Sequence, residues 1–204
     1  MRKFLKTTPL LILLIFLTSC DWGYEKKNGK VYYVSYNSTN GKSVDYVKGA
    51  DPNTFKAVRN KYFMETNFGK DKIHVFYMDK MQKGVSPKKF RNLGKFFYAD
   101  HEKAYFLDEN RLEEIKGVNP KKLKVLEIYP WAIEGNNVIN GSKTVKISDV
   151  EHFQPLNRTW AKTEKLIIYK DTIITDGDPA SFHVGSLPYE GSDRFRKYNM
   201  LHYR

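Results

Sequence analysis

A short pattern returns five times along this chain of 204 residues, and that recurrence constrains the fold more than any single residue does. It reads GADPNTF from Gly49 to Phe55, GVSPKKF from Gly84 to Phe90, GVNPKKL from Gly117 to Leu123, ISDVEHF from Ile147 to Phe153, and DGDPASF from Asp176 to Phe182. The closing apolar residues stand at 55, 90, 123, 153 and 182, so the period shortens through 35, 33, 30 and 29 residues. Units of this size cannot bury a hydrophobic face without their neighbours. An array is therefore expected.

Each copy has a local logic. Asp51 or Asn119 ahead of proline suits the cap of a short helical turn, and Pro52, Pro87, Pro120 and Pro179 suit its first position. Val58, Leu93, Leu126 and Leu156 follow the closing residue by three, which predicts a shared face of that turn. Between the turns the chemistry is that of strands: Lys30 to Tyr33, His74 to Tyr77, Lys103 to Phe106 and Lys165 to Tyr169 are β-branched and aromatic. A second short strand is predicted in each of the five units, at Ser43 to Val47, Lys80 to Gln82, Leu112 to Lys116, Thr144 to Ile147 and Thr172 to Thr175.

A third strand is predicted to open the later units at Tyr62 to Met64, Phe97 to Ala99, Trp131 to Ile133 and Trp160 to Lys162. The aromatic at its head recurs as Tyr62, Phe97, Trp131 and Trp160, either as a stacked core position or as a row of rings for sugars. The expected fold is mainly β, an array of about five β-hairpin plus short helical-turn repeats over 24–187, in a curved or superhelical row. Shortening spacings argue against the equal blades of a closed propeller. The tail 188–204, with Tyr189, Arg194, Phe195, Arg196 and Tyr198, reads as a cap on the last unit or a partner-binding tail.

The string Lys70-Asp71-Lys72-Ile73-His74-Val75-Phe76-Tyr77 followed by GVSPKKF resembles the bacterial repeat family called DKNYV after its commonest string. Weaker copies are Ala99 to Tyr105 and Ala161 to Leu166, and the resemblance spans roughly residues 24 to 185. Ile73 and His74 depart from the usual Asn-Tyr, and Val150 replaces the turn proline of the fourth copy. The resemblance implies a lipoprotein or surface protein without an established activity.

The amino-terminal segment points to the same location. Arg2, Lys3 and Lys6 precede an apolar run from Leu10 to Leu17, too short at about 12 Å as a helix to cross a hydrocarbon core of about 30 Å. This is the pattern of a secretory signal. Leu17-Thr18-Ser19-Cys20 resembles a bacterial lipobox, which implies a cleaved signal peptide 1–19, acylation of Cys20 and a short linker 20–23. The alternatives are an ordinary signal peptide with a cysteine nearby and an uncleaved apolar stretch. Two or more acyl chains hold a protein to a membrane stably, so the folded part needs no membrane-binding surface of its own. Cys20 is the only cysteine, so an acylated chain has no disulfide or thiolate metal site.

The net charge is +12, and removing Arg2, Lys3 and Lys6 leaves +9. The cations are scattered, which reads as a solvated surface, or as a basic stripe if units stack, since Lys88 and Lys89 match Lys121 and Lys122. Such a stripe attracts anionic glycans or headgroups through a screened field. An anchor outside the cytoplasm makes nucleic acid an unsuitable partner. His74, His101, His152, His183 and His202 show no metal-ligand spacing, and no phosphate loop, serine elbow or HExxH helix is present. No catalytic residue, metal or cofactor is implied. Asp100-His101-Glu102 reads as a solvated turn, and Asp51, Asp149 and Asp178 as caps. The expected function is a cell-envelope lipoprotein, anchored by lipid and scaffolding protein or glycan contacts; the alternative is a hydrolase or glycan-processing subunit with a site between repeats.

Overall fold

Apolar residues run consecutively along the middle strands of this chain, as in Ala104-Tyr105-Phe106-Leu107, which demands that both faces of a sheet be covered. The computed structural model, in which residues 22–202 are described, meets that demand with a row of six small antiparallel sheets. The first holds β1 (Gly23–Lys27), β2 (Lys30–Asn37) and β3 (Gly41–Tyr46), and the second β4 (Lys56–Arg59), β5 (Glu65–Lys70), β6 (Val75–Tyr77) and β7 (Lys80–Met81). The third holds β8 (Arg91–Gly94), β9 (Phe97–Ala99), β10 (Ala104–Asp108) and β11 (Arg111–Ile115). The fourth is β12 (Lys124–Val125), β13 (Trp131–Glu134), β14 (Asn137–Asn140) and β15 (Lys143–Lys146). The fifth is β16 (Gln154–Pro155), β17 (Trp160–Lys162), β18 (Ile167–Tyr169) and β19 (Thr172–Ile174). The sixth, β20 (His183–Val184), β21 (Glu190–Ser192) and β22 (Lys197–Asn199), is built largely from the tail and ends in a 3-10 turn at Met200–His202. In every sheet the strands neighbour one another in chain order, so each unit is a plain meander.

The period-2 alternation of a strand divides its side chains between two interfaces. On β6, Phe76 packs with Val31, Val47 and Phe55 toward the first sheet, while Val75 and Tyr77 pack with Phe90, Tyr98 and Tyr105 toward the third. On β10, Tyr105 and Leu107 face back, and Ala104 and Phe106 face forward onto Ala132 and Ile139. Ile168 and Ile167 divide in the same way between the fourth sheet and the sixth. Each core is thus shared by successive sheets.

The repeated motif supplies the interlocking ring. Phe55 meets Tyr24 at 4.8 Å between centroids, Phe90 meets Phe68 at 5.6 Å, Phe153 meets Trp131 at 5.5 Å, and Phe182 meets Trp160 at 5.1 Å. Leu123 joins Phe97 in the corresponding core. Phe97, Trp131 and Trp160 are wholly buried, so the aromatic row is core and not a platform for sugars.

Three local expectations change. The motif is a non-helical turn in four copies, and only the copy without proline makes a 3-10 turn, at Val150–His152. The i, i+3 pattern from Phe55 to Val58 and from Phe90 to Leu93 lies at strand starts rather than on a helix, next to register shifts in which the extra residues fall on β5 opposite Val58 and on β8 at Leu93. The residues three apart do not share a face: Phe55 packs toward the first sheet and Val58 toward the third, and Phe90 and Leu93 likewise enter successive cores. Tyr62, Phe63 and Met64 form an exposed turn rather than a strand, and Phe68 on β5 takes the buried place equivalent to Phe97. The opening strands β4, β8, β12 and β16 make their sheets four-stranded, and β20 opens the three-stranded sixth sheet.

Small residues make room for the rings. A Cβ on Gly69 would lie 2.2 Å from Cζ of Phe55, and one on Gly191 would lie 2.7 Å from Cζ of Phe182. Gly69→Ala is therefore expected to destabilise the first interface by about 1–3 kcal/mol. Urea unfolding reads this as a lowered midpoint, and Phe55→Leu in the same background should restore part of the loss. An unchanged midpoint would refute the packing argument.

Candidate functional site

The edge of the array that carries the closing turns also carries the hairpin turns between the second and third strands of the second to sixth sheets, and in three of them a buried carboxylate joins the two. Asp71 Oδ1 accepts from the backbone N–H of Ile73 and His74 at 2.7 and 2.6 Å, and its Oδ2 accepts from Asp51 N at 3.1 Å. Asp100 repeats this with Glu102 N, Lys103 N and, 14 residues back, Ser86 N at 3.2 Å. Asp193 repeats it with Phe195 N, Arg196 N and Asp178 N at 2.8 Å. Tyr105 and Tyr198 donate a further hydrogen bond to Asp100 and Asp193 at 2.8 and 2.6 Å. Burial opposes ionisation of all three, yet these donors outweigh it and hold each carboxyl below its ordinary range. Burial and Asp193 push the Tyr198 hydroxyl up to about 12.

Asp100 is 2% exposed and serves as a structural clip, whereas Glu102 stays exposed, so the solvated-turn reading of Asp100-His101-Glu102 fails at Asp100. In the fifth sheet Thr163 does half the task, accepting from Lys165 N and Leu166 N through Oγ1. Asp51 and Asp178 each accept from the backbone N–H two residues on, as capping turns do. Asp149 departs from that expectation: it makes no side-chain cap bond, and both of its carboxylate oxygens are buried without a hydrogen-bond partner.

Long cations link successive units on the same edge. Lys70 Nζ donates to the carbonyls of Pro87 and Phe90, Lys162 Nζ to Pro179, and Arg91 to Pro120. In the third sheet Ala99 stands where Lys70 and Lys162 stand in theirs, and its cross-strand partner Arg91 supplies the cation instead.

Between the third and fourth units this edge opens into a groove of about 500 Å³ lined by Lys89, Phe90, Arg91, Asp100, His101 and Lys121. Lys88, Lys89, Lys121 and Lys122 are exposed on equivalent turns, so the cations matched by motif are brought together. The corresponding groove two interfaces further on, between the fifth and sixth units, measures about 450 Å³; His152, Gln154, Lys162 and Glu164 line it on one side and Pro179 and Ala180 on the other, and it is mixed in charge. His101 Nε2 lies 3.0 Å from Glu102 Oε1, and His74 stands beside Asp71. No group of three or more His, Cys, Asp or Glu side chains able to hold a metal occurs among the described residues. Glu113 pairs with Arg111 and Ser142, and Glu114 with Lys103, so these neighbouring acids serve different partners.

Leu17, Thr18, Ser19 and Cys20 lie outside the described residues. The carboxylate clip was not anticipated from sequence, although Asp followed five residues later by Tyr, at Asp100 and Tyr105 and at Asp193 and Tyr198, is its visible signal.

A family model described as the DKNYY family matches residues 24–200, covering the six sheets nearly end to end. It is the same repeat family as the one the sequence resembles. No curated protein and no solved structure matches the chain.

Asp100→Asn replaces an acceptor oxygen with a donor facing backbone N–H groups, and is expected to cost about 1–3 kcal/mol. A carboxyl whose folded pKa is depressed stabilises the fold above its unfolded value near ~3.9, and that contribution fades as pH falls through the folded value. Urea midpoints should therefore decline in acid more steeply for the wild-type chain than for Asp100→Asn. Parallel pH profiles would refute the clip.

Proposed function

We propose, since the chain belongs to the DKNYY family, that it is a lipid-anchored cell-envelope protein whose array is a non-catalytic scaffold presenting a basic edge to an anionic glycan. The observation that carries this reading is the groove where Lys89, Arg91 and Lys121 converge from successive units, with exposed Lys88 and Lys122 extending it. A row of cations at repeat spacing suits a polyanion that also repeats, and its attraction acts through a salt-screened field. The anchor is supported by the order of charge, apolar run, small residues and Cys20 at the amino terminus.

The same groove holds Asp100 and His101, the one pairing that favours a hydrolase. The oxygens of Asp100 already take Glu102, Lys103, Ser86 and Tyr105 as donors, and Asp71 and Asp193 make the same backbone bonds in their own units. Its chemistry is accounted for by the clip.

Two measurements test this function. Binding of polygalacturonate to the lipidated protein should weaken severalfold as salt rises, and reversal of Lys88, Lys89, Lys121 and Lys122 to Glu should weaken it by about tenfold or more; salt-independent binding would overturn the basic edge. Cys20→Ser should abolish incorporation of labelled palmitate, and labelling that persists would overturn the anchor.

A further inference from the structure

The opposite edge has a different character. It carries the turns between the first and second strands of the second to sixth sheets, at residues 60–64, 95–96, 126–130, 156–159 and 185–189. These turns touch one another in sequence. Asn60 and Lys61 share a cleft with Asn92, Lys95 and Glu127. Lys95 Nζ donates to Leu126 O at 3.0 Å, and Phe96 packs edge-on against Tyr129 at 5.4 Å. The Arg158 guanidinium lies over the Tyr129 ring, and Thr159 Oγ1 donates to Pro188 O. The turns thus form one continuous border.

Large apolar side chains stand exposed along it. Tyr62, Phe63 and Met64 are 66%, 81% and 59% exposed, and Phe96, Ile128 and Leu187 follow in the next turns. Phe63 also has a φ of +61°, a conformation that glycine or asparagine adopts at lower cost than a phenylalanine. Neither packing nor turn geometry calls for a phenyl ring there. A strained, exposed aromatic points to a role outside the fold.

The chain enters the fold at this same border. An added Cβ on Gly23 would lie 3.3 Å from Glu65 Oε2, and Glu65 directly follows the Tyr62 to Met64 turn. Trp22, half exposed, precedes Gly23. Cys20 is two residues further, a reach of at most about 7 Å along extended chain.

We propose that this border rests on the lipid bilayer itself, with Trp22, Tyr62, Phe63, Phe96 and Ile128 at headgroup depth. The inference rests on acylation of Cys20. Acyl chains fixed so near the border hold it at high local concentration against the membrane, so a modest apolar surface suffices to set orientation. Trp and Tyr favour that depth because their rings are apolar and their tips polar. Lys61 and Asn60, beside these rings, suit the headgroup layer. The basic edge then faces away from the membrane, toward the envelope space.

The test uses the lipidated protein in pure phosphatidylcholine vesicles carrying nitroxide lipids. Phe63→Cys, Ile128→Cys and Lys88→Cys each supply one free thiol for a fluorophore, because Cys20 is acylated. Fluorescence at 63 and 128 should fall severalfold relative to 88, and Tyr62→Ser with Phe63→Ser should reduce the quenching at 128. Equal quenching at all three positions, or none at 63 and 128, overturns the docked edge while leaving the anchor intact. Absence of palmitate on Cys20 overturns both. Protection of 63 and 128 in native envelope vesicles but not in pure lipid identifies a protein occupant and also overturns the proposal.

Discussion

No sheet of this protein has a core to itself, and the rest of the structure follows from that constraint. A strand such as β10 contributes alternate side chains to the interfaces before and after it, so each unit is stable only between neighbours. The closing ring of the motif reinforces the arrangement, since Phe90 belongs to the third unit by sequence and rests on Phe68 of the second. Because the interlock depends on a few fixed positions, the segments between them can shorten from 35 to 29 residues without loss of the pattern. Packing of this kind also lets a chain with a single cysteine hold its fold without a disulfide bond.

The carboxylate clip explains where the buried charge goes. Each clip spends an ionised side chain on backbone N–H groups from a hairpin and from a turn up to 20 residues earlier, and so ties the two loops of one edge together. Lys70, Arg91 and Lys162 then join that edge to the following unit through proline-turn carbonyls. What remains outward are the lysines of the turns themselves. Structural and surface charge are therefore separated by position within the same short motif.

Much of this was legible in sequence because the motif marks it. The closing residues Phe55, Phe90, Phe153 and Phe182 read as inward-facing and are, and Lys88, Lys89, Lys121 and Lys122 read as equivalent and share an edge. The errors have physical causes. Phe55 and Val58 enter two successive cores at the start of a strand, yet their spacing imitates one face of a helical turn, and the exposed run Tyr62-Phe63-Met64 imitates a strand. Strands of two residues, such as Lys124–Val125 and Gln154–Pro155, carry too few side chains to show an alternation. The clip and the groove around Arg91 and His101 depend on residues brought together by register, which no local pattern reports.

The clip is not evenly distributed. Among the described residues Asp71, Asp100 and Asp193 tie hairpin to turn in the second, third and sixth sheets, whereas Glu134 and Thr163 occupy that place in the fourth and fifth and make no such bond to the preceding turn. The buried, unpartnered carboxylate of Asp149 lies at the turn between those two sheets. Local opening follows the weakest ties. The array is therefore a rod with a joint in it: two clipped segments flank a seam held by apolar packing alone at this edge, and bending or fraying should begin at that interior seam as readily as at either end.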